Sequence, residues 1–323
     1  MPKPLALRTS PILGLLGLLA VGCSRPRVSS PPAPPTSSAS FPVTLTDAQD
    51  QSVTLPRKPA RIVSIAPTVT EMLFAIGAGK QVVGVTEQCD YPAEVKALPR
   101  VGQWWQPSAE RIVGAKPDLV VAQRGNTLET VMALRKSGLK VFTIAPRTIE
   151  EIYTTLQQLG RLTGNAEGAG RVISTMRGRM KVIGAKIAAV PESKRPTAFI
   201  IVQVSPVWTA GAGTFQDEAI RAAGARNLGA SVQDFREFSL EKLVAADPDF
   251  LLVTTMRGTP DQMKRDVLAS PALSRLTAVR QRRLLLLNAD EIDRPGPRLV
   301  NAIETMARGF HPGRFEEAGR RGG

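Results

Sequence analysis

The chain has 323 residues, 43% apolar and 22% charged, enough for two ordinary domains or one large one with a real core. The formal net charge is +14, but the basic residues are scattered and aromatics make up only 5%, so a nucleic-acid partner is set aside. The excess charge reads as solvated surface, biased towards an anionic membrane.

The first 22 residues read as an export signal. Lys3 and Arg8 form a basic start, an apolar stretch runs from Ile12 to Val21, and small Gly22 precedes Cys23. The apolar run is too short to span a bilayer comfortably. Removing Lys3 and Arg8 with this segment takes the side-chain charge from +14 to +12. Leu19-Ala20-Val21-Gly22-Cys23 resembles a lipobox, with Ala20 where leucine is usual, which makes Cys23 a candidate lipidation site. The alternative is a plain signal peptide with an incidental cysteine. A lipid anchor would hold the protein on a membrane through its buried methylenes. Residues 23–42 are rich in proline and serine, as in Ser29-Ser30-Pro31-Pro32-Ala33-Pro34-Pro35, and form an extended tether. With Cys23 lipidated, Cys89 has no disulfide partner within the chain and reads as a small packed residue.

Residues 43–55 alternate as a small antiparallel hairpin. After it, short Val/Ile-rich runs at 61–65, 81–85, 118–121 and 140–144 read as buried parallel strands, with helical patterns at 70–76, 128–136 and 149–162 between and after them. This is an α/β lobe, residues 43–164. Residues 165–191 form a connecting helix. Its core, 166–189, lacks proline and places Val172, Ile173, Met176, Met180, Ile183 and Ile187 at helical spacing. Gly164-Asn165 is expected to open it and Pro191 to end it, while Gly178 and Gly184 weaken it. At about 1.5 Å per residue its roughly 24 residues make a rod of about 36 Å. A second α/β lobe follows, 192–312, with strands expected at 197–204, 250–254 and 283–287 and helices at 214–223, 240–246 and 298–310. A basic, Gly-rich tail, 313–323, closes the chain. The fold class is therefore α/β, two parallel-sheet lobes joined by one long α-helix.

An internal repeat supports two lobes. Residues 108–118, SAERIVGAKPD, match 239–249, SLEKLVAADPD, with six of the eleven positions identical. In each copy a serine caps a short helix, a glutamate sits in the first turn where the helix dipole favours it, and a Pro-Asp turn feeds a strand. Good capping explains the serines and prolines, but not why Glu110 and Glu241 recur in register.

The sequence offers no nucleophile with an evident base and no cluster with metal-ligand spacing. His311, the one histidine, precedes Pro312 at a helix end and reads as a capping or packing residue. Gly77-Ala78-Gly79-Lys80 reads as a helix C-cap rather than a phosphate loop. The expectation is a binding protein, not an enzyme; an exported α/β hydrolase and a surface scaffold are the readings from other classes.

Four stretches carry a family resemblance: 61–71 (RIVSIAPTVTE) running into 73–77 (LFAIG); 83–86 (VVGVT without its first residue) with 89–92 (CDYP); 110–120 with Arg124-Gly125; and 294–298 (RPGPR) before the helix that ends at His311-Pro312. Across roughly residues 41–312 the chain resembles the iron-siderophore and cobalamin-type periplasmic binding proteins that serve ABC importers. The resemblance implies two lobes on one helix, a ligand in the cleft between them, and one surface glutamate per lobe, Glu110 and Glu241, meeting a permease dimer that works with an ATPase. It places the protein outside the cytoplasm, at the periplasmic face or cell surface. No separate cofactor is expected, since the ligand itself carries cobalt or iron. CDYP and RPGPR look closer to corrinoid binders than to siderophore or haem binders, although Gln123 stands where corrinoid binders often have an aromatic. Tyr91, Trp104, Trp105 and Trp208 lie at strand-end loops, where flat rings suit a large planar ligand, with core packing the alternative for each. Arg124 and Arg294 are candidate partners for an anionic group of that ligand, or else simple surface charges.

Overall fold

The computed structural model describes residues 40–254 and 260–316. The expected signal segment 1–22, Cys23, nearly all of the tether and most of the tail lie outside the described residues.

The hairpin forms as β1 (Val43–Thr46) against β2 (Ser52–Leu55), with Val43 opposite Leu55. Alternation turns Val43, Val53 and Leu55 inward, and all three are buried. The first lobe then runs β3 (Ile62–Ser64), α1 (Pro67–Ala75), β4 (Val82–Val85), α2 (Ala109–Gly114), β5 (Leu119–Gln123), α3 (Leu128–Lys136), β6 (Val141–Ile144) and α4 (Ile149–Thr163). The four strands β3 to β6 are parallel, in the order β4-β3-β5-β6. Helices cover both faces of such a sheet, which is why its strands read as unbroken apolar runs rather than alternating ones. Helix α1 starts three residues earlier than the hydrophobic pattern indicates, because Pro67 has the backbone angle suited to a first helical position. Six consecutive residues, Thr68 to Leu73, are buried in it, Glu71 among them.

Helix α5 (Ala166–Ile187) follows, with Ile173, Met176, Ile183 and Ile187 on its buried face. Its 22 residues span about 33 Å. Two sequence expectations shift here. Gly164, at φ +67°, closes α4 rather than opening α5. Pro191 precedes a short 3₁₀ turn at Glu192–Lys194, the α-helix having ended at Ile187. Gly168 marks a close approach: a Cβ there would stand 2.0 Å from the Ile76 carbonyl oxygen at the end of α1.

The second lobe runs β7 (Thr197–Ile201), β8 (Trp208–Ala210), α6 (Phe215–Ala222), β9 (Arg226–Asn227), β10 (Phe235–Glu237), α7 (Leu240–Ala246), β11 (Phe250–Val253), α8 (Pro260–Ala269), α9 (Thr277–Arg280), β12 (Leu284–Leu286), α10 (Ala289–Ile292), α11 (Leu299–Phe310) and α12 (Pro312–Phe315). The strand expected at 197–204 stops at Ile201, and the chain turns back as β8, which pairs antiparallel with β10. The main sheet is parallel, in the order β9-β7-β11-β12. Both sheets therefore place their strands second-first-third-fourth, and the duplicated segment precedes the third strand in each. The lobes are two copies of one topology. Helices α1, α4, α6 and α11 all pack on α5, and one hydrophobic core runs from the hairpin through α5 to Met306 and Phe310 of the second lobe. That shared core resists bending between the lobes.

Candidate functional site

The duplicated segments form two matched surface helices. Ser108 Oγ accepts from Arg111 N at 3.3 Å and Ser239 Oγ from Lys242 N at 3.2 Å, so both serines cap as the sequence indicates. Glu110 and Glu241 are exposed, one on each lobe, and exposed Val113 and Val244 stand one turn beyond them. The repeated aspartate has a structural task. Asp118 Oδ2 accepts from Ala60 N and Arg61 N at 2.8 and 2.9 Å, and Asp249 Oδ2 accepts from Thr197 N at 2.7 Å. Each aspartate thus locks the start of the third strand to the start of the first.

In open parallel sheets, ligands collect beyond the carboxyl ends of the strands. Here ion pairs bring those two edges together, and they follow the pseudo-twofold relation of the lobes. Asp90, after the second strand of the first lobe, accepts from Arg294, after the fourth strand of the second lobe, at 2.8 Å. Asp234, after the second strand of the second lobe, pairs with Arg147, after the fourth strand of the first. A glutamate from the helix after each first strand adds a further tie. Glu218 Oε2 accepts from Ile149 N at 2.7 Å. Glu71 does more: Oε1 accepts from Arg294 Nη1 at 2.7 Å and Arg298 Nη2 at 2.6 Å, and Oε2 accepts from Arg298 Nε at 2.7 Å.

An aromatic residue follows the aspartate in each of these contacts, Tyr91 in one and Phe235 in the other. Tyr91 is 47% exposed, with the Arg298 guanidinium 4.1 Å from its ring centroid. Phe235, 42% exposed, lies on the same face of the β8–β10 ribbon as Trp208, by the register that sets Trp208 opposite Glu237. Sequence reading missed Phe235 because nothing marks residues 235–237 as a strand; its place beside Trp208 comes from a pairing across 27 residues of sequence. In the first lobe Trp104 packs on Gly125, whose φ of +118° and lack of a Cβ admit the ring. Asn126 fixes that loop, donating from Nδ2 to the carbonyls of Ile65 and Trp104 and accepting Gln123 N at 2.8 Å. Trp105 meets Trp104 edge-on, centroids 6.1 Å apart, and is exposed. Arg124 follows β5 and is exposed, with no side-chain partner among the described residues.

Arg294, the other candidate cation for the ligand, is paired within the protein. Its side chain is 15% exposed and holds Glu71, Asp90 and Asp290. Burial works against its charge, but Asp90 and Glu71 outweigh that, and its pKa lies above the ordinary value. Asp293 beside it has a buried carboxyl. Oδ2 accepts from Thr254 Oγ1 at 2.6 Å, whereas Oδ1 and the nearby Gln216 Oε1 have no partner. Burial pushes the Asp293 pKa up to about 6. Cys89 is buried between Thr70 and Thr86, and burial raises its pKa, so it packs rather than reacts. His311, at the C-terminal end of α11, meets the Gly224 carbonyl oxygen through Nε2 at 3.0 Å. Among the described residues no group of three or more His, Cys, Asp or Glu could hold a metal ion, and no helix is long and apolar enough to cross a membrane.

A family model described as periplasmic binding protein matches residues 62–291. A cobalamin-binding protein of Halobacterium salinarum is 31% identical over 91% of this chain and 82% of its own length. An uncharacterized ABC transporter substrate-binding lipoprotein of Bacillus subtilis is 29% identical over 94% of this chain and 96% of its own. Among solved structures, a periplasmic heme binding protein from Pseudomonas aeruginosa superposes with a TM-score of 0.72, at 27% identity over 79% of this chain and 93% of that one.

Proposed function

The chain belongs to the periplasmic binding protein family, as the solute-binding component of an ABC importer, and we propose that it carries a corrinoid in the gap between its lobes. The observation that supports this reading is the set of aromatic side chains carried beyond the strand ends of both lobes: Trp104 and Trp105 in the first, Tyr91 beside the Asp90–Arg294 pair, and Trp208 and Phe235 on one face of the β8–β10 ribbon in the second. Flat, rigid rings bury a large macrocycle with few rotamers frozen. Arg124, next in sequence to the Gly125 on which Trp104 packs and without a side-chain partner among the described residues, is suited to an anionic group of the ligand. Arg294 is withdrawn from that role by its three carboxylates.

A ferric-siderophore or haem ligand is the second reading, favoured by the likeness to the heme binding protein structure. The two make different demands. A haem iron takes an axial ligand from its protein, and Tyr91 is the phenol at the junction, since Tyr153 is buried in α4. A corrinoid arrives with its cobalt already ligated. Titration of the purified protein with cyanocobalamin, haemin and a ferric hydroxamate, followed by tryptophan quenching and absorption, separates them. Quenching by cyanocobalamin supports the corrinoid. A haemin spectrum with a tyrosinate charge-transfer band, lost in Tyr91→Phe, supports haem. Quenching by none of the three sinks both.

Delivery rests on Glu110 and Glu241, exposed at matched places on the two lobes, which would meet basic residues of the permease dimer that works with the ATPase. Two charges at fixed separation set register and orientation more than affinity. Cys23 is the proposed lipid anchor, supported by the Bacillus relative named as a lipoprotein; Cys23→Ser is expected to move the protein from the membrane fraction to the soluble one.

A further inference from the structure

The two lobe-to-lobe contacts share one construction but differ in depth. The Arg147–Asp234 pair is 44% and 56% exposed at its side chains and is backed by a backbone amide on Glu218. The other is built around a carboxylate that is 3% exposed, on a helix buried along most of its length, and its two guanidinium groups are each 15% exposed. Arg298 uses two nitrogens on the two oxygens of Glu71. Such a fork fixes the plane of the guanidinium as well as its position. That fixed plane is what lies 4.1 Å from the Tyr91 ring centroid. Tyr91 makes no hydrogen bond through its hydroxyl to any described residue, so the cation over its ring is a restraint on its rotamer that a change at Arg298 would relax.

We propose that Glu71 is a positioning residue for the ligand cleft, holding the Tyr91 ring in place through Arg298. Glu71 and Arg298 sit on α1 and at the start of α11, and both helices pack on α5. The relay therefore joins rigid elements of opposite lobes, and the ring it holds belongs to the loop that also carries Asp90. The functional consequence rests on the reading of the gap as the ligand site; the positioning itself does not.

The chain contains two tyrosines, which makes the test direct. Full-length protein carrying 3-fluorotyrosine, without ligand, gives one fluorine resonance for Tyr91 and one for Tyr153. Tyr153, 5% exposed with Arg177 4.8 Å from its ring centroid, serves as the internal reference for folding. Tyr91→Phe assigns the lines. In Glu71→Gln the Tyr91 line is expected to move towards the position of free fluorotyrosine while the Tyr153 line stays. Arg298→Gln is expected to do the same, and the double variant to add nothing. A Tyr91 line unmoved in Glu71→Gln, beside an intact Tyr153 line, overturns the proposal, as does a double variant whose shift is the sum of the two. If Glu71→Gln does not fold, Glu71→Asp keeps the charge but shortens the reach by one methylene, and the same two outcomes decide. With cyanocobalamin as probe, release from the shifted variant is expected to be at least tenfold faster. A wild-type protein that binds no corrinoid, haemin or ferric hydroxamate defeats the ligand reading and leaves the fluorine result standing by itself.

Discussion

Replacing Asp293 by asparagine removes a buried carboxyl whose pKa stands near 6, against an ordinary value of 3.8. Burial is the main cause; Thr254 opposes it by hydrogen bonding, the Asp290 charge adds to it, and Arg294 subtracts. The folded pKa is raised, so the folded state holds the proton more tightly than the unfolded chain. Its contribution to stability is therefore complete below about pH 4 and is lost as the pH rises through about 6. A shift near two units corresponds to about 3 kcal/mol across that window. Asparagine keeps the shape, can accept from Thr254 and can donate to the orphaned Gln216 Oε1, without a charge to bury. Asp293→Asn is thus expected to gain on the wild type as the pH rises, with the difference growing by about 3 kcal/mol between pH 4 and pH 7. Urea unfolding of both proteins by tryptophan fluorescence at each pH measures this, because carboxylates common to the two cancel in the difference. A stability difference that stays flat from pH 4 to pH 7 refutes the reasoning.

Reversing both docking charges, Glu110→Arg with Glu241→Arg, is expected to abolish uptake in cells and leave ligand affinity unchanged by titration, since both side chains are exposed on surface helices. Gly168→Ala pits two effects against each other. Helix propensity favours alanine by roughly 1 kcal/mol, but the new Cβ would lie 2.0 Å from the Ile76 carbonyl oxygen. Net destabilisation by about 1–3 kcal/mol is expected from overpacking, read as a lower denaturation midpoint; unchanged or raised stability would show that α1 and α5 do not approach so closely. The two inter-lobe contacts should respond very differently. Arg147→Ala is expected to change stability by less than about 1 kcal/mol because that pair is solvated. Glu71→Ala is expected to remove roughly 3–5 kcal/mol, since it leaves a buried guanidinium without its carboxylate.

The sequence by itself determined most of the elements, because period and punctuation are local, but β8, β9, β10 and α8 escaped it. Unbroken apolar runs marked every parallel strand except β9, helical spacing marked α5, and the repeated SxExxVxAxPD pattern named both serine caps and both exposed glutamates. Boundaries moved where a single residue overrode the pattern, as when Pro67 drew α1 forward and Gly164 ended α4. Tertiary structure alone decided the cleft. Glu71 reads in sequence as one polar residue on a helix, and its partners lie 223 and 227 residues away. Phe235 gains its neighbour Trp208 through a strand pairing that no local signal announces. Arg294 looked free for a ligand because a sequence shows a charge but not the carboxylates that surround it. Local propensity acts over a few residues, whereas charge pairing and burial depend on which distant segments the two sheets bring to one edge.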